Sequence, residues 1–138
     1  SNIYYDILDS SLNNYYFYTT TDPRPYITAF NPTIDSSDIS VDTTIQLTFD
    51  KNIYLGTTGN IQIYDNTSNI IFDIINLETS TDLTQVSITD NVLTITPYES
   101  LISGYTYGTI ISDTFLYDIS NNYFSGITDT TYYNFTTA

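Results

Sequence analysis

Sixteen carboxylates, fourteen Asp together with Glu78 and Glu99, are the chemically loaded side chains of this sequence, set against two cations, Arg24 and Lys51. Two carboxylates held a fixed distance apart could cleave a glycosidic bond by acid and base work. The chain has no His and no Cys. A Ser-His-Asp triad, a thiolate nucleophile, a histidine base and an imidazole or thiolate zinc site are therefore excluded. The Asp residues are scattered among Asn, Ser and Thr, where short polar side chains make Asx turns and caps. Turn formation and solubility explain them more simply than catalysis, and the chain is read as not an enzyme.

Calcium is the better-founded chemistry for such residues, because a hard cation takes several oxygen ligands from Asp, Asn and backbone carbonyls. Two sets are candidates: Asp35, Asp38 and Asp42 in one loop, and Asp113, Asp118 and Asp129 around the last long connection. Neither has the twelve-residue EF-hand spacing with its Gly and its closing Glu. The fifteen tyrosines suggest a third chemistry, since a ring with a hydroxyl can stack on a sugar or join an adhesive surface. Tyr15, Tyr16 and Tyr18, and likewise Tyr132 and Tyr133, fall on alternating runs where half the rings must point outward. An exposed row of them would mark a partner interface. Asn66-Thr67-Ser68 and Asn134-Phe135-Thr136 match the glycosylation acceptor pattern, a match that chance supplies in a chain so rich in Asn and Thr.

The elements that carry these residues are strands. The polar residues are mainly Thr, Asn, Ser and Asp and the apolar ones mainly Ile, Tyr, Leu and Phe, which are strand and turn formers. Ala occurs only at positions 29 and 138. Period-two alternation places strands at Tyr26 to Phe30, Ile45 to Phe49, Ile61 to Tyr64, Ile70 to Ile75, Val86 to Ile88, Leu93 to Ile95, Tyr105 to Ile111 and Tyr132 to Thr137. The first is bracketed by prolines and reads as an edge strand. Asp90-Asn91 is the clearest hairpin turn, both residues tolerating positive φ. Residues 113–129 read as a long loop or an irregular hairpin. Seven to eight antiparallel strands at this spacing predict an all-β Greek-key sandwich.

With 138 residues and a formal net charge of −14, the chain is sized for one domain with an appended segment. The charge opposes nucleic acid and anionic membrane alike, because phosphate binding needs Lys and Arg. No run approaches the roughly 18 apolar residues of a membrane span, and no basic start leads into an apolar segment.

The two ends of the sequence resemble each other. Tyr5-Asp6-Ile7 and Tyr15-Tyr16-Phe17-Tyr18-Thr19-Thr20 parallel Tyr117-Asp118-Ile119 and Tyr132-Tyr133-Asn134-Phe135-Thr136-Thr137, with a shorter spacer in the first copy. Aligning Tyr18 with Phe135 gives a period of about 117 residues, the size of one sandwich module. Residues 1–22 thus read as a strand segment separate from a domain at 23–138. A lone strand leaves a row of backbone groups unpaired. Three placements satisfy it: an edge strand of its own domain, the tail of a preceding module, or a donor strand that pairs with a neighbouring subunit through Tyr15, Tyr16, Phe17 and Tyr18.

The runs Ile45 to Ile53, Gly59 to Asp65, Asn91 to Pro97, Leu101 to Tyr107 and Phe115 to Asn122, bordered by Arg24-Pro25 and by Asn134-Phe135-Thr136-Thr137, resemble the bacterial Ig-like domain of surface proteins, often called Ig-like domain 5. The similarity covers about residues 25 to 138. Asn121 stands where the family's Asp-x-x-Gly-Asn loop has glycine. The resemblance implies a seven-stranded sandwich occurring in tandem in S-layer, adhesin and motility-associated proteins, acting as a spacer or interaction module without catalytic residues. Sequence and resemblance together point to an extracellular structural module or filament subunit that contacts neighbouring copies of itself and needs no cofactor. A calcium-dependent or carbohydrate-binding adhesin module is the alternative.

Overall fold

The computed structural model describes residues 22–79 and 83–138. Eleven strands follow one another in these residues: β1 (Ile27–Asn31), β2 (Ser36–Ile39), β3 (Ile45–Phe49), β4 (Tyr54–Leu55), β5 (Asn60–Asp65), β6 (Ile70–Asn76), β7 (Val86–Thr89), β8 (Val92–Ile95), β9 (Thr106–Ile111), β10 (Leu116–Tyr117) and β11 (Asn134–Thr137). They form a four-stranded sheet in the order β1-β3-β8-β7, a five-stranded sheet in the order β2-β11-β9-β5-β6, and a two-stranded sheet of β10 and β4. No helix among the described residues is long and apolar enough to cross a membrane.

Alternation in the sequence becomes alternation in burial. Ile45, Leu47 and Phe49 of β3 are buried while Gln46 is exposed, and Ile61 and Ile63 of β5 are buried between half-buried Asn60, Gln62 and Tyr64. These residues join Leu93 and Ile95 of β8, Tyr107 and Ile111 of β9 and Phe135 of β11 in one core drawn from both large sheets. That is the aligned two-layer packing in which each sheet contributes one apolar face. Rings fill the ends: Phe49 meets Phe124 edge-on at 5.1 Å, and Phe72 meets Tyr107 at 5.3 Å. Tyr133 is buried completely, and its hydroxyl donates to the Pro32 carbonyl at 2.6 Å. Burial pushes its ionisation well above the usual phenol range.

Eight of the strands are those the alternation predicts, within a residue or two at their ends. The other three, β2, β4 and β10, carry little alternation. The single loop expected to hold Asp35, Asp38 and Asp42 is corrected by the structure: Asp35 and Asp38 do take positive φ (60° and 58°), yet Ser36–Ile39 forms a strand. It pairs parallel with β11, with an irregular register. A parallel partner distant in sequence supplies the hydrogen bonds, so local propensity is overridden. Residues 113–129 do form an irregular hairpin, with β10 paired to β4 and bridges joining Tyr117 to Tyr123 and Ile111 to Ile127. At the 90–91 turn only Asp90 takes a positive φ (56°), not Asn91. β1 and β7 are the edges of the four-stranded sheet, as the prolines around β1 predict. One close approach fixes a glycine: a Cβ on Gly108 would lie 2.2 Å from the Thr130 carbonyl oxygen, so the segment after Ile127 lies directly over β9.

Candidate functional site

β3 defines an axis through the sandwich. At its C-terminal end, Tyr26 and Asp50 exchange main-chain and side-chain hydrogen bonds, and Phe49 N–H donates to the Asn91 carbonyl. At its other end, Leu101 N–H donates to the Val41 carbonyl, and β8 ends at Ile95 opposite Ile45. Ala138 lies at this second end, its N–H donating to the Ile39 carbonyl and its own carbonyl accepting from Gly104 N–H and Ser103 Oγ. The chain therefore enters the sandwich at one pole and leaves it at the opposite one.

The entry pole is built on Asp118. Its buried carboxylate accepts from the backbone N–H groups of Ser120 and Asn122, both at 2.9 Å, and from Asn122 Nδ2 at 3.1 Å. The loop closes because Asn121 takes φ 64°, the left-handed conformation that Asn tolerates where the family pattern has glycine. The Asn122 N–H chiefly, then its side chain, the Ser120 N–H and the Lys51 charge, hold the Asp118 carboxyl below the ordinary carboxylate range. Lys51 Nζ lies 3.7 Å from Asp118 and 3.9 Å from Asp50, and donates to the Pro23 carbonyl at 2.7 Å. The single lysine thus fastens the entering chain to the domain.

The entering chain is itself braced. Arg24 Nε and Nη2 donate to the two Asp22 carboxylate oxygens at 3.1 and 2.7 Å, and Arg24 N–H donates to Oδ1 at 3.0 Å. These bonds hold the Asp22 carboxyl at about 2 and raise the Arg24 guanidinium. A shallow cleft of about 320 Å³ lies beneath, lined by Pro23, Lys51, Tyr54, Asp118 and Ile119 among others. Around it Tyr117 packs against Tyr54 at 5.8 Å and against Tyr123 at 5.6 Å. Ile119 is 81% exposed.

The exit pole is organised by hydroxyls and main-chain bonds. Thr137 Oγ1 donates to the Ile102 carbonyl at 2.6 Å and accepts from Tyr105 N–H at 3.0 Å, while Tyr107 hydroxyl accepts from Ile102 N–H at 2.8 Å. Tyr98, at 78% exposure, and Ile102 are its exposed apolar residues.

The residues expected from sequence to do chemistry are dispersed. Among the described residues, no three carboxylates come close enough together to hold a metal ion. Both Asp triplets expected for calcium are thereby corrected. Asp42 accepts from Ser100 Oγ, Asp118 serves its own loop, and Asp129 caps Thr131 through N–H and Oγ1. Of the expected tyrosine pair, Tyr132 is exposed and Tyr133 is buried. Tyr15, Tyr16, Phe17 and Tyr18 lie outside the described residues. Sequence reasoning passed over Lys51 and Ile119. Their signals are slight: a lone lysine in a chain of −14, and an isoleucine between Asp and Ser in a turn.

No curated protein matches the chain. Among solved structures it resembles CopC from Methylosinus trichosporium OB3b, with a TM-score of 0.53 and 13% identity over 82% of this chain and 92% of that one. It also resembles the S-layer protein rSbsC(31-844), with a TM-score of 0.51 and 22% identity over 81% of this chain and 13% of the S-layer chain. At these identities the likeness is one of fold. The family model of the bacterial Ig-like domain matches residues 21–137, nearly all of the sandwich described above, and the chain belongs to that family.

Proposed function

We propose that the chain is a non-catalytic structural module of an extracellular bacterial surface protein or filament, joined end to end to neighbouring copies, with residues 1–22 belonging to a neighbouring sandwich rather than to its own. The observation that carries this reading is the placement of entry and exit at opposite poles, which lets copies follow one another in a line. Three further facts support it. The family is typically non-catalytic. A comparable fold occurs within an S-layer protein of which it makes up a small part. The sequence at 15–20 resembles that of 132–137, where Tyr133, Phe135 and Thr137 are buried.

The test is deletion of residues 1–21. If they belong to a neighbour, residues 22–138 keep the melting temperature that the full chain shows at dilutions where light scattering finds it monomeric. If they complete the module's own sheet, deletion lowers it by several degrees and the proposal fails. Light scattering on the same pair reports the linkage: loss of association on deletion assigns a donated strand, and absence of association in both assigns the tail of a preceding module.

A further inference from the structure

We infer that the entry pole is a seat for the exit pole of the preceding copy, and that Asp22-Pro23-Arg24-Pro25 is a stiff coupling that holds the two in one orientation. This rests on the end-to-end reading above and adds the joint itself.

Length is the first argument. In the alignment of Tyr18 with Phe135, Thr20 falls on Thr137, the last residue of β11. Pro23 is already fastened to this module by Lys51. Three residue steps span about 10 Å at most, so the facing poles must touch or nearly touch.

Stiffness is the second. Pro23 and Pro25 fix their own φ, and each restricts the residue before it to extended conformations. Arg24 then clamps Asp22 through both carboxylate oxygens, the planar fork geometry that gives such pairs their directionality. Pro25 is buried and Lys51 grips the Pro23 carbonyl, so the coupling is anchored at its downstream end. Both cations of the chain are used on these four residues.

The third argument is the surface. Ile119 stands out from a loop whose shape Asp118 and Asn121 impose and shares a cleft with Tyr54, about two-fifths exposed. Among the described residues Ile119 is the most exposed of the large apolar side chains, and its loop holds it at a fixed place beside the coupling residue Pro23. The opposing pole offers Tyr98 and Ile102, which are apolar and exposed, together with the main-chain groups around Ala138. The partner is a second copy of this module, reached through the covalent coupling, so a weak contact suffices at the high effective concentration of a short linker.

The experiment uses the full chain extended at Ala138 by a second copy of residues 22–138, with residual dipolar couplings measured for both modules. A seated joint gives one alignment tensor shared by the two. Ile119→Asp in the second copy, a change at an exposed site, makes the tensors diverge, and Lys51→Met, which frees the Pro23 carbonyl, does so as well. Different tensors in the unsubstituted pair overturn the inference, as does a shared tensor that survives both substitutions. The end-to-end reading fails separately, if deleting residues 1–21 lowers the melting temperature of the module.

Discussion

The two poles of the sandwich are closed by different physical means. At the entry pole a buried carboxylate gathers three N–H donors, a lysine lies beside it, Tyr54, Tyr117 and Tyr123 pack in a row, and exposed Ile119 shares a cleft with Tyr54. At the exit pole the last residues are tied by threonine and serine hydroxyls and by main-chain bonds, with no charged side chain among those ties. The ties around Asp118 depend on its ionisation state, whereas the hydroxyl and main-chain ties of the last residues do not, and the exit pole's carboxylates, Asp42 and Asp73, each serve a local partner, Ser100 Oγ and the Tyr98 N–H. Because the ends differ, a contact between them is heterologous, and such contacts extend into lines when their rotation does not close a ring.

The contrast can be broken in order of expected effect. Phe49→Ala, which empties the space beneath the entry pole where Phe124 packs edge-on, should cost about 3–5 kcal/mol in denaturant unfolding. Leu101→Ala, at the rim of the exit pole, should cost about 2 kcal/mol. Equal costs would mean that the two ends are packed alike. Next, Asp118→Ala should lower the melting temperature clearly, because it removes the acceptor of three hydrogen bonds that shape the loop. Asp42→Ala at the exit pole, where the carboxylate faces one serine near the surface, should leave it within the scatter of a surface substitution.

Acid sharpens the same comparison. The folded state holds the Asp118 carboxyl below its ordinary range, so its contribution is fully present above the unfolded carboxylate pKa and is lost as pH falls through the folded value. Asp118→Asn should therefore flatten the acid limb of the stability curve, and an unchanged limb would count against the charge-organised pole. Gly104, at the exit pole, takes φ 79°, and a Cβ added there would meet nothing within 4 Å. Gly104→Ala should cost only the left-handed penalty, about 1 kcal/mol. The smallest effect is that of salt. With a net charge of −14 on each copy, added salt should strengthen contact between copies by screening their repulsion. Weakening would contradict the end-to-end account.

How far the sequence disclosed this depended on the kind of interaction. Strands whose partners lie on a core face were legible, since Ile45, Leu47 and Phe49 must alternate with polar residues to bury one face. β2 was not, because its pairing comes from β11, nearly a hundred residues away, and its own residues are turn formers. The calcium triplets misled for a related reason: Asp35, Asp38 and Asp42 are close in sequence, but the fold does not gather them around one point. Lys51 shows the limit most clearly. Its partners Pro23 and Asp118 are brought to it only by the fold. The asymmetry of the poles therefore has no linear signature beyond the Arg24-Pro25 entry and the Asp118 loop.

The most direct test of the end-to-end account is the length of arrays built from one, two and four copies joined at residues 138 and 22, measured by electron microscopy. The account predicts rods whose length grows by a constant increment per copy. Compact particles whose longest dimension does not follow copy number would contradict it.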